Sequence, residues 1–298
     1  MLHIRKMSDA DLPLGMCLKD QANWNQTEAD WRRMLALQPE GCFVAELDGQ
    51  PVATTTTCVF DSIGWIAMVL VEKTVRGRGI ATQLMEHALG YLEGCGVRTA
   101  RLDATPLGRP VYEKLGFVVE YELARWEGRA AEPMSWPSSR HTPCAGPAHG
   151  VCGLPSGVIN IGAPQLESVF ALDRAATGTD RRRLLERLYR ERPESMLVFT
   201  QGPAPRGYAT SRLGSRAVQL GPAVAIDDVA GAALLDAAAS QHAGQPIFLD
   251  IPADNAPASR WAESHGLKVQ RQFSRMRRGG PVCDQPQQLW AAFGPEKG

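Results

Sequence analysis

The sequence lacks the features that mark membrane-spanning, nucleic-acid-binding and disulfide-stabilised proteins. Its apolar run Trp65–Val71 is far shorter than the ~20 residues that a membrane helix needs. Lys and Arg number 32, as do Asp and Glu, so the formal net charge is zero. Neither nucleic acid nor an anionic membrane is therefore expected as a partner. The seven cysteines are scattered and odd in number, unlike a disulfide framework.

The first residues, MLHIRKMSDADLPL, also lack the apolar core of a signal peptide. Together with the cysteine usage, this predicts a cytoplasmic protein in a reducing compartment. Hydrophobic residues make up 44% of the 298 positions, which is enough for well-packed cores, and the length favours about two domains. The sequence does not predict an oligomeric state.

A change of composition separates the two predicted domains. The stretch from Arg129 to Gly157 is dense in Pro, Gly and Ser, and its apolar residues follow neither the helical nor the strand period. We therefore predict a first domain at 1–128, a linker at 129–157 and a second domain with a C-terminal tail at 158–298.

The linker contains one set of residues that could bind a metal ion. His141, Cys144, His149 and Cys152 follow the spacing H-x2-C-x4-H-x2-C, and four such side chains could surround zinc. The spacing between the pairs is shorter than in common finger modules, and Pro- and Gly-rich linkers gather such residues by chance. The prediction is therefore that no metal is bound.

The sequence of the first domain predicts a mixed sheet with flanking helices. The segment from Trp65 to Asp103 reads as strand, helix and strand, whose two strands should be parallel, and an antiparallel hairpin precedes it. The fold class is therefore α+β or α/β, with a twisted and mostly antiparallel sheet. Strands are predicted at Leu2–Lys6, Cys42–Leu47, Val52–Phe60, Trp65–Val71, Val97–Asp103 and Phe117–Trp126, and helices near 9–19, 28–37, 79–92 and 110–115.

The second half repeats part of the first. LDATPLGRPVYEKLGFVVEYELARW begins at Leu102, and LDIPADNAPASRWAESHGLKVQRQFSRM begins at Leu249. Each starts with Leu-Asp, passes a short helix into a glycine, and continues as a strand that carries an arginine. Gly116 matches Gly266 in this comparison, and the arginines match as well. A second copy of the same fold is predicted.

A loop with two glycines and two arginines, Arg76-Gly77-Arg78-Gly79, opens the helix after the buried strand. Backbone N–H groups in the first turn of a helix have no internal partner and lie at the positive end of its dipole, so they can bind an anion. Glycines allow a close approach of the backbone, and arginines add charge. The alternative is a solvated basic turn that only caps the helix.

Two motifs resemble those of the GNAT superfamily of N-acetyltransferases. Residues 76–81 match its R-x-x-G-x-A signature, and they follow a hydrophobic strand as in that family. The segment VYEKLGF supplies Tyr112 four residues before Gly116-Phe117, which matches the second signature. Together the motifs cover most of residues 60–126.

The resemblance implies acetyl-CoA as the donor. Its pyrophosphate would lie on the glycine loop, its pantetheine arm would follow the preceding strand, and the N–H near Val69 would hold the oxyanion. Tyr112 resembles the family's general acid, although proton transfer from a phenol to a thiolate is uphill by about 2 kcal/mol, so assistance during departure is favoured. The implied donor-site residues are Met68, Val69, Leu70, Val71, Arg76, Gly77, Arg78, Gly79, Ile80 and Ala81.

A base must free the attacking amine from its ammonium form. Glu72, at the end of the central strand, and Asp61, before it, are candidates, but either could be an ordinary surface carboxylate, and a water relay is equally open. The predicted acceptor-site residues are Asn23, Trp24, Trp65 and Asp103. Trp31 is a further candidate. Asp103 could also merely cap the short helix, and the family often has Asn near that position.

The second half lacks the matching chemistry. In an ungapped comparison Tyr112 falls on Ala262, and the loop falls on residues 226–229, Ile-Asp-Asp-Val, whose carboxylates would repel a pyrophosphate. We therefore predict an acetyl-CoA-dependent N-acetyltransferase with its chemistry in the first domain, acting by direct attack of a small-molecule or peptide amine in a ternary complex. The alternative is a non-catalytic CoA-binding sensor or interaction protein.

Overall fold

The computed structural model describes residues 1–131, 154–162, 165–202 and 204–294. The linker residues His141, Cys144, His149 and Cys152 lie outside these ranges, so the possible zinc site does too. In the first half, the strands are β1 Leu2–Lys6, β2 Cys42–Leu47, β3 Gln50–Phe60, β4 Ile63–Val71, β5 Thr99–Ala104 and β6 Val118–Arg129. The helices are α1 Leu12–Gln21, α2 Glu28–Leu37, α3 Ile80–Gly94 and α4 Arg109–Lys114.

The second half repeats this order of elements and ends with an additional short strand. Its strands are β7 Val158–Asn160, β8 Leu197–Thr200, β9 Pro205–Arg212, β10 Val218–Ala225, β11 Pro246–Pro252, β12 Lys268–Gly279 and β13 Leu289–Ala291. Its helices are α5 Leu166–Thr177, α6 Arg182–Glu191, α7 Asp228–Ser240 and α8 Ala256–Ser264.

Local sequence explains several boundaries in the first half. The Thr27 N–H donates to the Asp30 carboxylate at 2.8 Å, which forms the capping box that starts α2. Asp48 and Gly49 have φ values of 51° and 79°, the conformation of a tight two-residue hairpin turn between β2 and β3.

All the strands belong to one mixed, mostly antiparallel sheet, as the predicted fold class requires. Along the sheet the order is β1-β2-β3-β4-β5-β12-β6-β11-β10-β9-β8-β7, and β13 pairs with β10. The parallel pairs are β4 with β5 and β10 with β11.

The halves exchange their last long strands at the centre of the sheet. Strand β12 of the second half pairs with β5 of the first, and β6 of the first half pairs with β11 of the second. Helices α1, α2, α5 and α6 cover one face of the sheet and share one hydrophobic core. The two halves therefore form a single packed body around a common sheet. The predicted domain boundaries did not include this exchange of strands between the halves.

The first half contains a gap between its two parallel strands. Strands β4 and β5 pair only where Ile63–Trp65 faces Thr99–Arg101. Beyond that point β4 bulges, with Met68 at φ 50° and a shift in its register with β3. From residue 66 onward β4 has no strand pairing with β5, so one edge of its backbone is open.

Candidate active site

The glycine loop presents an uncapped helix N-terminus to solvent. Gly77 and Gly79 have φ values of 78° and 76°, which side chains disfavour, and no heavy atom lies within 4 Å of an added Cβ at either position. Gly79 is the N-cap of α3, and no side chain hydrogen-bonds to the first turn of that helix. The first N–H groups of α3 are therefore available to an anion.

The two loop arginines are placed differently. Arg76 donates from Nε to the Val71 carbonyl at 2.9 Å, which ties the loop to the end of β4. Arg78 is exposed beside the helix N-terminus. The loop thus combines an anchored cation, a second cation at the surface, and the helix dipole.

The bulge in β4 is held from the side of β3 by threonines. The Thr54 hydroxyl donates to the Met68 carbonyl at 3.0 Å, and the Thr56 hydroxyl donates to the Ala67 carbonyl at 3.3 Å. These contacts fix the strand where it leaves β5. The predicted arm-binding residues, Met68–Val71, are the ones that follow this point.

Tyr112 lies on α4, within the apolar cluster that includes Val69 and helix α3. Its ring centroid is 6.1 Å from that of Phe117, and the Phe117 N–H donates to the Tyr112 carbonyl at 3.0 Å. Desolvation by burial raises the pKa of Tyr112 to about 12. The phenol therefore keeps its proton at neutral pH and can act as a hydrogen-bond donor.

The two candidate bases occupy opposite ends of β4. The Gln21 side-chain amide donates to the Glu72 carboxylate, and the Lys73 N–H donates to the Gln21 amide oxygen at 3.1 Å. Asp61 lies in the turn before β4 and accepts from the Asp180 N–H at 3.0 Å. At ~3.3 Å per residue, the first residue of β4, which follows the Asp61 turn, is about 20 Å from the backbone of Val69.

The predicted acceptor residues divide into two groups. Asn23, with φ 54°, and the half-buried Trp24 lie between α1 and α2, where the Asn23 carbonyl accepts from Arg216 of the second half at 2.9 Å. Trp31 is fully buried in the core. Trp65 and Asp103 lie deeper, in a buried charged cluster. The structure therefore does not bring the predicted acceptor residues together in one pocket.

The cluster around Trp65 is filled by side chains. Arg275 of β12 makes a bidentate ion pair with Asp103, with N–O distances of 2.8 and 2.9 Å, and its guanidinium carbon lies 4.8 Å from the centroid of the Trp65 ring. The Asp103 carboxylate is thus engaged by arginine and does not cap α4, which corrects that alternative.

The equivalent gap in the second half is occupied by the chain itself. Strand β10 also bulges, with Gly221 at φ 124° and a register shift against β9. Here β13 pairs antiparallel with β10 beyond the bulge, and the Ala292 N–H donates to the Asp250 carbonyl on β11 at 2.8 Å. The C-terminal segment therefore bridges the two splayed strands.

The strand that fills this gap is packed tightly against α7. An added Cβ on Gly231 would lie 1.9 Å from Trp290, whose side chain is 3% exposed. The Asn255 side chain donates to the Leu289 carbonyl at 3.1 Å. Backbone hydrogen bonds, a buried indole and a side-chain amide all hold β13 in place.

The helix that follows β10 carries its own cap. The Asp227 carboxylate accepts from the Ala230 N–H at 2.9 Å and pairs with Arg206 at 2.8 Å. The ungapped comparison placed Gly79 opposite Val229. The structure corrects this alignment, because Asp227 stands at the N-cap that Gly79 occupies in α3.

Sequence reasoning missed Gln21, Arg275 and β13. The partner of Arg275 is 172 positions away, and no local pattern announces such a pairing. The apolar run LWAAF, from Leu289 to Phe293, is a local signal for a short buried strand, but no strand was predicted there.

Among the described residues, no helix combines the length and apolar composition needed to cross a membrane. Within the same residues, no three or more His, Cys, Asp or Glu side chains are arranged to hold a metal ion.

The chain resembles several known proteins. It is 25% identical over 200 residues to the holothin acyltransferase of Pseudoalteromonas sp. (strain SANK 73390), covering 67% of this chain and 61% of that protein. It is 33% identical over 115 residues to the N-alpha-acetyltransferase MAK3 of Arabidopsis thaliana, covering 36% of this chain and 60% of that protein. It therefore spans about three fifths of the length of both curated relatives.

The fold and the family profiles extend this likeness to both halves. A crystal structure from Pyrococcus horikoshii matches with a TM-score of 0.80 and 24% identity, covering 100% of this chain and 96% of that one. A profile described as "Acetyltransferase (GNAT) family" matches residues 11–117, and one described as "Acetyltransferase (GNAT) domain" matches residues 169–291. The chain therefore belongs to the GNAT superfamily of acetyltransferases and carries one GNAT domain in each half.

Proposed function

We propose that the protein is an N-acyltransferase that takes an acetyl group from acetyl-CoA and passes it to a primary amine, with the chemistry in the first half. The family typically uses an acyl-CoA donor, and two relatives are named as an acyltransferase and an N-alpha-acetyltransferase. Both names are consistent with an amine acceptor, either a small molecule or a peptide.

One observation carries the assignment to the first half. Its gap between parallel strands is open along β4 and ends at an uncapped helix, whereas the gap in the second half is filled by β13 and ends at a helix capped by Asp227. Of the two gaps, only the first offers unpaired strand backbone to an extended ligand and uncapped helix N–H groups to its diphosphate.

In this proposal the donor spans the open gap. The N–H groups of Gly79, Ile80 and Ala81 hold the diphosphate, and the free edge of β4 pairs with the pantetheine arm. The Val69 N–H polarises the thioester carbonyl and stabilises the oxyanion that forms when the amine attacks. One C–N bond forms, the C–S bond breaks, and coenzyme A leaves as a thiolate.

Tyr112 assists that departure as a hydrogen-bond donor. With its pKa at about 12, complete proton transfer to a thiolate of pKa ~8.5 is uphill by about 5 kcal/mol. A hydrogen bond from the phenol to the developing thiolate avoids this cost and stabilises the charge where it appears.

Glu72 is the better placed of the two candidate bases. It follows Val69 by three residues, about 10 Å along the strand, so a bridging water can relay the proton from the amine. Asp61 lies at the far end of β4, outside hydrogen-bond reach of an amine at Val69, and has no catalytic role in this mechanism. Trp24 and Asn23, near the same end as Glu72, are proposed to border the acceptor.

Calorimetric titration of acetyl-CoA tests the donor site. The wild type should bind one equivalent per chain. Gly79→Glu places a carboxylate and a strained φ at the helix N-terminus, so affinity should fall at least 100-fold. The matched control is Val229→Glu at the start of α7, a residue that is 64% exposed, and it should leave binding unchanged.

The results separate the proposal from its rivals. Absence of wild-type binding would refute the donor site, and two equivalent sites would refute the assignment to one half. Acetyl-CoA binding without turnover across a panel of primary amines would favour the non-catalytic CoA sensor.

A further inference from the structure

We propose that Arg275, a residue of the second half, is a positioning residue for the donor cleft of the first half. This inference rests on the proposed function. It concerns the closed end of the gap between β4 and β5, where the pairing of the two strands stops.

The strand exchange brings Arg275 to this point. Strand β12 lies between β5 and β6, and Arg275 is in register with Asp103 on one side and Tyr121 on the other. The strand that pairs with the far edge of β5 therefore comes from the second half. Its cleft is completed by a strand from the other half.

The guanidinium of Arg275 contacts three strands of the first half. It forms the bidentate pair with Asp103 of β5, donates from Nη1 to the Tyr121 hydroxyl of β6 at 2.7 Å, and stacks on Trp65 of β4. The Arg275 and Asp103 side chains are each 3% exposed. Trp65 is the last residue of β4 that pairs with β5, so these contacts fix the place where the strands separate.

A second layer holds the contacts in place. The Tyr121 hydroxyl donates to Asp284 at 3.0 Å, and Asp284 pairs with Arg101 at 2.8 Å. Arg101 also pairs with Glu120 at 2.6 Å. A planar guanidinium with all of its sides engaged has one orientation, which makes it suited to setting the separation of neighbouring strands.

The consequence for the donor follows from the geometry of the gap. The thioester end of the proposed arm lies beside Val69, four residues beyond Trp65. The arm is proposed to pair with the free edge of β4, so a change in the separation of β4 and β5 would disturb that pairing. The clamp, defined here as Arg275 with Asp103, Tyr121 and Trp65, should therefore act on binding of the acylated arm, while the diphosphate at α3 is distant from it.

The gap of the second half provides a matched control, in which the arginine comes from the first half. Arg125 of β6 pairs with Asp250 of β11 through two 2.7 Å contacts, is equally buried, and stacks on Phe248 and Phe273. It is the counterpart of Arg275 in the sequence repeat. Its partner strand β11 borders the gap that β13 already fills.

The test compares two charge-neutral double variants, D103N/R275Q and D250N/R125Q. Each removes both partners, which avoids leaving a buried charge unpaired. Two ligands are titrated: acetyl-CoA, and adenosine 3′-phosphate 5′-diphosphate, which is coenzyme A without its arm. D103N/R275Q should bind acetyl-CoA at least 10-fold more weakly and the nucleotide within twofold of wild type. D250N/R125Q should bind both as wild type does.

Thermal melting accompanies the titrations, and both variants should lose similar stability. Equal weakening in the two variants, or weakening of both ligands together in D103N/R275Q, would overturn the proposal in favour of a general packing role. If D103N/R275Q does not fold, R275K is titrated instead, and unchanged acetyl-CoA affinity in that variant would also overturn it. A wild type that binds neither ligand refutes the proposed function itself, and this inference with it.

Discussion

The two halves of the molecule share a fold and differ most clearly in what lies between their parallel strands. Both halves have a strand that bulges and a partner strand that diverges from it. In the first half the divergent edges face an open gap, whereas in the second half β13 pairs with one edge and Ala292 hydrogen-bonds to the other. Diverging strands expose backbone groups that need partners, and the two halves meet that need in different ways.

The helix that follows each gap shows the same contrast. In α3 the N-cap is Gly79 and the first N–H groups have no side-chain partner, whereas Asp227 caps α7 with its own carboxylate. An internal anion at a helix N-terminus replaces an external one. The second half thus satisfies these N–H groups within the chain, whereas in the first half they are open to an external anion.

The largest expected effect comes from removing the side chain that anchors β13. Trp290→Ala should destabilise the protein by about 3–5 kcal/mol, as is usual for truncation of a buried aromatic residue. The measurement is chemical denaturation followed by circular dichroism. The acetyl-CoA stoichiometry should remain one per chain, because the backbone of β13 still pairs with β10 and Asp227 still caps α7.

Appearance of a second acetyl-CoA site in Trp290→Ala would contradict this account. It would mean that the second half keeps a functional donor site beneath β13. The double variant W290A/D227G sharpens the same test, since it also uncaps the helix.

A smaller effect is expected from the phenol of the first half. Tyr112→Phe should lower the turnover rate about 10- to 100-fold, the size of one hydrogen bond to a charged group, with acetyl-CoA affinity unchanged. Because burial raises the pKa of Tyr112 to about 12, the pH profile of wild-type turnover should show no ionisation of this residue below pH 10. Stopped-flow detection of released thiol provides the rate.

Tyr91→Phe is the control for that prediction. Tyr91 lies on α3 in the same half, and its hydroxyl accepts from the Gln38 amide at 2.6 Å, so the variant removes a tyrosine hydroxyl away from the proposed site. It should leave the rate unchanged. If the two variants slow turnover equally, Tyr112 has no specific role in the departure of the thiolate.

The sequence predicted that the second half lacks the glycine loop and the tyrosine of the first half. It did not predict the helix cap and the strand β13 that the second half has instead. The glycine loop, the buried strand and the Tyr112 segment are local patterns, and the structure places each on the expected element. The capping of α7 was not predicted, because the two aspartates were interpreted only as repelling a pyrophosphate and an ungapped comparison set Asp227 two positions before the N-cap. Turn and cap preferences act over a few residues, so they can be read from a sequence.

The strand exchange and the pairing of β13 with β10 could not be predicted in the same way. Asp103 with Arg125, and Asp250 with Arg275, look like partners within each copy, but the structure pairs each aspartate with the arginine of the other copy. Either pairing satisfies the same local pattern. The choice depends on which strands lie adjacent in the sheet, and this depends on packing of the whole chain.

The smallest predicted effect concerns the titration of a buried histidine in the second half. His242 lies in the second half, with its Nε2 2.8 Å from the Ser211 hydroxyl, and burial, aided by the charge of Arg192, lowers its pKa. A histidine whose pKa is lower in the folded state than in the unfolded state binds a proton more readily when the protein is unfolded. Its contribution to stability is therefore fully present above the unfolded pKa of ~6.5 and is lost as the pH falls from there through the folded-state pKa. Melting temperatures should therefore decline between pH 7 and pH 5, and His242→Gln should flatten the decline, whereas His87→Gln, at an exposed site in the first half, should not. An unchanged pH profile in His242→Gln would show that the acid sensitivity of the protein arises elsewhere.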